Sequence, residues 1–344
     1  MRRVSLRFTG PFKVTVHDEP AVMPEPHQVL VQTECTAVSP GTELLVYRGE
    51  WPEDVPLDDT IDALSGAFRY PLKYGYSAVG RVVDVGRDVT RDWLDRRVFS
   101  FNPHESLFLA SPENLIRLPE SLASEEAAFL PNMETAVSFV MDGRPALGEQ
   151  AAVFGQGVVG LLTTSLLSRL PLAYLVTLDA YSLRREKSAE CGAHAVLDPR
   201  ESDTVTRLRT MLPEQEPGGP DLVYEISGNP EALQQAMNVA APNGRIVVGS
   251  WYGDKRAHLD MGGNFHRGRL SITSSQVSRM APCFSGLWTK SRRLRFALNM
   301  LEEVRPADLI THRFHISRAA DAYALLHEHP EKAIQVIFRY EDVE

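Results

Sequence analysis

The stretch AAVFGQGVVG, residues 151–160, decides the fold of this chain. Four apolar residues run directly into a G-x-G-x-x-G pattern formed by Gly155, Gly157 and Gly160, and an apolar segment continues to Pro171. A glycine turn between a buried strand and a helix is the setting in which this pattern binds the pyrophosphate of a dinucleotide. Gly155 would permit the tight turn, Gly157 would let the backbone approach the phosphates, and Gly160 would let the helix pack on the strand. The stretch predicts a Rossmann-type domain.

The next predicted strand ends in the acidic residue that dinucleotide binding requires. Asp179 lies 19 residues after Gly160, close to the spacing expected of the acid that binds the ribose 2′-hydroxyl. Its carboxylate would repel a 2′-phosphate, so NAD is favoured over NADP. Arg184 follows closely, and it either holds a phosphate or belongs to a solvated helix face.

The residues predicted to bind the cofactor comprise the glycine turn, the start of its helix, the acid with its neighbouring arginine, and three further positions in the same domain. They are Gly155, Gln156, Gly157, Val158, Val159, Asp179, Arg184, Ser227, Gly249 and Thr135.

Strands alternate with helices beyond about residue 135, which indicates βαβ units and a parallel sheet. The first 130 residues are instead rich in β-branched and aromatic runs between turn formers, and they predict a β-rich domain. The predicted strands are 151–154, 174–179, 221–227 and 244–250, the helices lie near 158–169, 182–191, 201–212 and 230–241, and helices near 290–304 and 317–328 precede a last strand at 333–340. The fold class is therefore α/β, a doubly wound parallel sheet joined to a β-rich domain.

Composition limits the possible functions. A chain of 344 residues exceeds the size of one hydrophobic core, so two domains are expected. The net charge of −9 gives no positive electrostatic field that would attract nucleic acid, and basic clusters such as residues 291–293 are short. Three widely spaced cysteines support neither a disulfide framework nor a four-cysteine zinc site. Without an apolar signal core or membrane span, we expect a cytoplasmic protein that acts on a small molecule.

With these residues in place, the whole chain resembles the medium-chain dehydrogenase/reductase superfamily, the alcohol dehydrogenase-like proteins. The resemblance runs in order through five motifs, PGTEL at 40–44, GYSAVG at 75–80, CGAHAV at 191–196, EISG at 225–228 and GRIVVG at 244–249. It implies a GroES-like catalytic domain of residues 1–130 and 281–344, and a Rossmann domain of residues 131–280. Within the superfamily, the pattern is most similar to the bacteriochlorophyllide hydroxyethyl dehydrogenase and threonine dehydrogenase-like branch.

The chain departs from this family at the zinc ligands. Where zinc-dependent members have Cys and His, this sequence has Pro40 and Tyr76, and the region of the third ligand, residues 129–135, offers neither Cys nor His. A register shifted by one residue would place Ser39 at the first position. Proline cannot bind zinc, and Tyr and Ser are poor ligands at neutral pH. We therefore expect a zinc-independent enzyme.

A metal-free site must supply the proton that accompanies hydride transfer. Tyr76 is the first candidate, as a proton donor or as a tyrosine that fills the emptied zinc cavity. Thr42 matches the family's proton relay, unless its hydroxyl only satisfies a turn. His104 either faces the substrate as an acid or base or is a surface histidine. Glu134 would orient Tyr76 or bind substrate hydroxyls, or cap the helix that begins there.

The predicted activity is hydride transfer between nicotinamide and an alcohol or carbonyl substrate. Two alternatives stay open: reduction of carbon–carbon double bonds, as in enoyl and quinone reductases, and nucleotide binding without catalysis. Residues 268–276 resemble the edge strand by which relatives pair their sheets, so a homodimer is expected.

Overall fold

The computed structural model describes residues 3–52, 54–58, 61–213 and 218–340. The chain divides into two compact units, Met1–Pro131 with Leu301–Glu344, and Asn132–Met300. The predicted domain boundaries differ from this division at residues 281–300, which the contacts place in the second unit. Where one functional domain ends and the other begins stays a prediction.

The strands are numbered in chain order. They are β1 (Arg3–Gly10), β2 (Lys13–Glu19), β3 (Val29–Ala37), β4 (Ala78–Val85), β5 (Arg97–Ser100), β6 (Leu107–Ala110), β7 (Ile116–Arg117), β8 (Gln150–Phe154), β9 (Tyr174–Leu178), β10 (Ala195–Leu197), β11 (Leu222–Glu225), β12 (Arg245–Val248), β13 (Ser271–Ser274), β14 (Ile310–His315) and β15 (Gln335–Arg339).

The α-helices are numbered in the same way. They are α1 (Pro40–Arg48), α2 (Ser124–Ala127), α3 (Leu130–Gly143), α4 (Val158–Leu167), α5 (Ser182–Glu190), α6 (Thr204–Met211), α7 (Pro230–Val239), α8 (Lys290–Val304) and α9 (Ala319–Glu328). Short 3-10 turns lie at Asp62–Leu64, Arg91–Trp93, Pro112–Asn114, Pro282–Phe284, Pro306–Leu309, Ile316–Arg318 and Pro330–Lys332, and a π turn lies at Met261–Phe265. Within the described ranges, each helix is too short or too polar to cross a bilayer.

The second unit contains a parallel six-stranded sheet in the order β10-β9-β8-β11-β12-β13. Taking β8 as the first strand, this is the 3-2-1-4-5-6 order of a dinucleotide-binding sheet. The central strands β8 and β11 are buried along their whole length, because helices cover both faces of such a sheet and leave no solvated side. The predicted Rossmann fold is confirmed.

The first unit is built around a mixed sheet in the order β14-β15-β3-β4-β5-β7, in which β6 also pairs with β3, and a separate hairpin of β1 and β2. The backbone N–H of Ala37 donates to the carbonyl of Ser77 at 3.1 Å. This bond sets the end of β3 beside the start of β4. It therefore brings the segment before α1 close to the segment around Tyr76.

Three helices differ from the prediction. α1 and α2 lie in the region interpreted as β-rich, and α3 begins at Leu130, four residues before the predicted helix start at Glu134. Pro40 and Pro131 stand in the first turns of α1 and α3, where the missing N–H of proline costs nothing. Gly49 then ends α1 with a left-handed φ of 74°, a conformation that glycine adopts without strain.

Candidate active site

The glycine turn between β8 and α4 has the geometry that its spacing predicted. Gly155 has a φ of 94°, and a Cβ there would lie 2.5 Å from the Cα of Ser227. A Cβ on Gly160 would lie 2.1 Å from the carbonyl oxygen of Gly155. A Cβ on Gly157 would meet no described atom within 4 Å. Gly157 precedes the first turn of α4, whose N–H groups lack partners within the helix, so a phosphate has room there.

Asp179 is 6% exposed and closes the same turn from the end of β9. Its Oδ2 accepts a hydrogen bond from the backbone N–H of Gln156 at 2.7 Å, and its Oδ1 accepts one from Tyr181 at 2.9 Å. An Nη of Arg184 lies 3.9 Å from Asp179, and the guanidinium lies 4.8 Å from the centre of the Tyr181 ring. The acid and arginine singled out from the sequence are therefore neighbours beside the glycine turn.

The side chain of Gln156 is buried and committed to the fold. Its Oε1 accepts from the Thr164 hydroxyl at 2.9 Å, and its Nε2 donates to the carbonyl of Gly155 at 3.0 Å. Of the helix residues predicted with it, Val158 and Val159 are the first two of α4. Val158 and Val159 therefore offer a ligand their backbone N–H groups rather than polar side chains.

Glu225 organises the end of β11, although in the sequence it stood out only as part of the EISG motif. Its fully buried carboxylate accepts from the N–H and the hydroxyl of Ser227, at 2.9 and 2.5 Å, and from the hydroxyl of Tyr252. The N–H of Gly249 donates to the Glu225 carbonyl at 2.9 Å, and a Cβ on Gly249 would lie 2.2 Å from the Phe139 ring. The fold itself therefore accounts for the residue types at positions 227 and 249, by hydrogen bonding at Ser227 and by the lack of space for a side chain at Gly249.

Ser39, Thr42 and Tyr76 form a hydroxyl cluster at the start of α1. The Tyr76 phenol donates to the Thr42 hydroxyl at 3.3 Å and is also hydrogen-bonded by Ser39. Burial raises the pKa of Tyr76, and the negative charges of Glu43 and Asp58 add to the rise, while the two hydroxyl partners oppose it. The Tyr76 phenol is therefore protonated at neutral pH and can act as an acid.

His104 lies in the interior of the first unit, 0% exposed, so the surface alternative is wrong. Its Nε2 lies 3.0 Å from the Glu43 carboxylate, and its Nδ1 lies 2.7 Å from the Thr36 hydroxyl. The Glu43 carboxylate also accepts from the Tyr323 hydroxyl and, at 2.7 Å, from the N–H of Ser39. In the sequence, Glu43 is visible only as part of the PGTEL motif. No local pattern reveals a partner 61 residues away.

Glu134 does not cap a helix, because α3 begins four residues earlier, at Leu130. It pairs inside the second unit with Arg293 of α8, whose Nε and Nη2 donate to its Oε1 at 3.2 and 3.0 Å. Arg293 is 2% exposed and also donates to the carbonyl of Val277. Burial raises the pKa of Glu134, although Arg293 opposes the rise. Arg293, which belongs to a short basic cluster in sequence, is therefore a buried cation.

Thr135, the remaining predicted cofactor residue, follows Glu134 in α3 and is partly buried.

The positions where the family resemblance predicts zinc ligands do not fit a zinc ion in this chain. Pro40 has no donor atom in its side chain and forms the first helical position of α1. The phenol of Tyr76 is bonded to Thr42, and the hydroxyl of Ser77 donates to the Ala128 carbonyl at 2.6 Å. Across the described residues, no three His, Cys, Asp or Glu side chains stand together as a metal site.

The family model described as zinc-binding dehydrogenase matches residues 158–291 of this chain. The matched residues include neither Pro40 nor Tyr76, so the match concerns the nucleotide-binding part of the chain.

Curated relatives match most of the chain at low identity. D-guloside 3-dehydrogenase of Escherichia coli K12 is 23% identical over 327 residues, which cover 90% of this chain and 92% of that protein. L-threonine 3-dehydrogenase of Caldanaerobacter subterraneus subsp. tengcongensis is 25% identical over 320 residues, which cover 84% and 85%.

Solved structures share the fold along nearly the full length. 2R,3R-butanediol dehydrogenase from Bacillus subtilis superposes with a TM-score of 0.80 at 19% identity, covering 98% of this chain and 99% of that one. An alcohol dehydrogenase from Escherichia coli CFT073, complexed with NADH, gives 0.79 at 18% identity with the same coverage. A zinc-binding dehydrogenase from Sinorhizobium meliloti 1021, bound to NADP, gives 0.77 at 18%, again with that coverage. The chain therefore shares the fold of these dehydrogenases along nearly its whole length.

The Glu134–Arg293 pair predicts a stability effect. Replacing Arg293 with Met leaves the Glu134 carboxylate buried without its partner, so the free energy of unfolding should fall by about 3–5 kcal/mol. The double variant Glu134→Leu/Arg293→Met removes both charges and should recover much of that loss. Guanidinium unfolding followed by circular dichroism measures both.

Arg292→Met is the matched control, since Arg292 is exposed and stacks on Trp288. It should change the free energy of unfolding by no more than about 0.5 kcal/mol. Equal losses for Arg292→Met and Arg293→Met, or strictly additive losses in the double variant, would contradict the assignment.

Proposed function

We propose that this protein is a zinc-independent, NAD(H)-dependent oxidoreductase that transfers a hydride between nicotinamide and an alcohol or carbonyl substrate. The observation that carries the proposal is the hydroxyl cluster. Tyr76, Thr42 and Ser39 stand at or beside the positions where the family resemblance predicts zinc ligands, and they share hydrogen bonds around a protonated phenol. The names of the matched relatives, which are dehydrogenases of alcohols and polyols, support the alcohol/carbonyl reaction over reduction of carbon–carbon double bonds.

The proposed cofactor site is the glycine turn. The open space at Gly157 would receive the pyrophosphate at the start of α4, with the backbone of Gln156, Val158 and Val159 around it. When bound, the nicotinamide supplies or accepts the hydride. Ser227, Gly249 and Thr135 complete the proposed contacts.

Asp179 favours NAD over NADP. Its carboxylate stands where it would accept hydrogen bonds from the ribose hydroxyls and repel a 2′-phosphate. Arg184, 3.9 Å away, offsets part of that charge. We therefore propose a preference for NADH that is graded rather than absolute.

In the direction of reduction, Tyr76 would donate its phenolic proton to the carbonyl oxygen as the hydride reaches the carbonyl carbon. The hydroxyls of Thr42 and Ser39 would stabilise the phenolate that forms, and Thr42 would relay to it a proton taken up from solvent. In oxidation the same groups act in reverse. Glu134 takes a structural part, since its carboxylate is held by Arg293.

Gly157→Ala tests the cofactor site. Because the added methyl group meets no described protein atom but occupies the space proposed for the pyrophosphate, NADH binding should weaken by about tenfold or more, on the order of 1.4 kcal/mol. The midpoint of thermal unfolding should not change. Titration by nicotinamide fluorescence measures the affinity.

Gly10→Ala is the control, because Gly10 in β1 also faces open space and lies in the first unit. It should leave NADH affinity unchanged. The wild-type protein, titrated with NADPH, should bind it more weakly than NADH. Equal NADH affinities for wild type and Gly157→Ala would refute the proposed pyrophosphate site, and tighter binding of NADPH would refute the role of Asp179.

Tyr76→Phe tests the proton donor. With secondary alcohols and polyols as substrates, kcat should fall by about 10²–10⁴-fold, the usual contribution of a positioned acid or base. The affinity for NADH should not change, since the lost group is a hydroxyl of the first unit. Tyr174→Phe, in the second unit, removes a hydroxyl outside the proposed machinery and should retain full turnover. Unchanged kcat in Tyr76→Phe would remove Tyr76 from the reaction, and turnover of enones alone would favour double-bond reduction.

We also propose a homodimer formed through β13. This strand is the edge of the second unit's sheet and pairs within the described residues with β12 alone, so its outer edge is available to a second copy. Light scattering should give a molar mass of two chains. A mass near 38.3 kDa, that of one chain, would contradict the dimer.

A further inference from the structure

We infer that Glu43 and His104 form a positioning pair that holds the hydroxyl cluster of Ser39, Thr42 and Tyr76 in its reactive geometry. The inference rests on the proposed function of that cluster as the proton donor. It assigns the pair no contact with substrate or cofactor.

The Glu43 side of the pair fixes the start of α1. Ser39 precedes the helix, and its hydroxyl makes no hydrogen bond to the first turn. The Glu43 carboxylate reaches back instead and accepts the N–H of Ser39 at 2.7 Å. Since Ser39 and Thr42 lie within one turn of Glu43, this bond holds the two hydroxyls that contact Tyr76.

The His104 side of the pair fixes the backbone that leads into Tyr76. Gly75 has a φ of 117°, and a Cβ there would lie 2.7 Å from Nε2 and 2.8 Å from Cδ2 of His104. The imidazole therefore packs directly on the peptide before Tyr76. A side chain at position 75 would displace either the ring or the peptide.

One hydrogen bond, 3.0 Å from His104 Nε2 to the Glu43 carboxylate, joins these two segments. Each member of the pair has a further partner. Glu43 accepts a hydrogen bond from the Tyr323 hydroxyl, and His104 is hydrogen-bonded to Thr36, whose hydroxyl lies 3.0 Å from that of Tyr340. A buried network whose polar groups are satisfied holds one geometry, because any displaced member would lose its partner without gaining water.

The pair acts through position and charge rather than by passing protons. Glu43 and His104 are both 0% exposed. The hydrogen bond that links Glu43 to the cluster is donated by the backbone N–H of Ser39, and a backbone N–H cannot relay a proton. The Glu43 carboxylate also contributes to raising the pKa of Tyr76, after burial, and so favours the protonated phenol.

Glu43→Gln and His104→Gln test the inference. Both should lower kcat by about 10–100-fold, the cost of a small misplacement of a reacting group, with NADH affinity unchanged. The kcat of the double variant should be no lower than that of the less active single variant, because the two residues act as a unit. In Glu43→Gln the alkaline limb of the pH–rate profile should also move to lower pH, since a negative charge that raises the Tyr76 pKa is gone.

Glu105→Gln is the matched control. Glu105 follows His104 directly and is also buried, but its carboxylate pairs with Arg3 and Lys73 instead. This variant should retain the wild-type kcat and pH profile. Tyr323→Phe removes a single donor to Glu43 and keeps the ring, so it serves if the other variants unfold. It should lower kcat several-fold and leave NADH affinity unchanged.

A second readout separates this inference from the proposed function. In the NMR spectrum of protein labelled with carbon-13 at tyrosine Cζ, the Tyr76 resonance is identified as the one that disappears in Tyr76→Phe. Glu43→Gln should shift its titration to lower pH, whether or not any alcohol is turned over. Absence of wild-type turnover would refute the proposed function alone. An unchanged Tyr76 titration and unchanged kcat in the folded variants would overturn the positioning pair.

Discussion

The hydrogen bond between His104 and Glu43 is the contact on which the candidate site depends. It lies in the interior of the first unit, with both side chains 0% exposed and 3.0 Å apart. The two segments that it joins carry Tyr76 on one side and Ser39 with Thr42 on the other. Deleting one member would leave a buried hydrogen-bonding atom of the other unsatisfied, at a cost of about 1–3 kcal/mol. The geometry of the hydroxyl cluster is thus built into the core of the unit.

In the second unit the corresponding constraint is steric. The backbone at Gly155 passes so close to Ser227, and that at Gly160 so close to the carbonyl of Gly155, that neither position has room for a Cβ. At Gly157, between them, a Cβ would meet no described atom within 4 Å. Two glycines therefore shape the turn, while the third keeps the space above the start of α4 free.

Local patterns explain why much of the fold followed from the sequence. The glycine turn, its flanking strand and helix, and Asp179 lie within one βαβ unit, so their spacing alone indicates their arrangement. α1 was missed because the segment after Pro40 was interpreted as a turn, whereas Pro40 stands in the first turn of a helix. The pairs His104 with Glu43 and Arg293 with Glu134 span 61 and 159 residues. Only the tertiary fold brings such partners together, and a charged residue in isolation is more often exposed.

The central claim is the proposal that a hydroxyl cluster performs the proton chemistry that zinc supports in the zinc-dependent dehydrogenases that this chain resembles. The most direct test is to measure zinc content and alcohol turnover on the same sample, purified without chelator and then treated with one. The account predicts zinc far below one atom per chain and turnover that survives the chelator. Stoichiometric zinc, lost together with turnover on chelation, would contradict it.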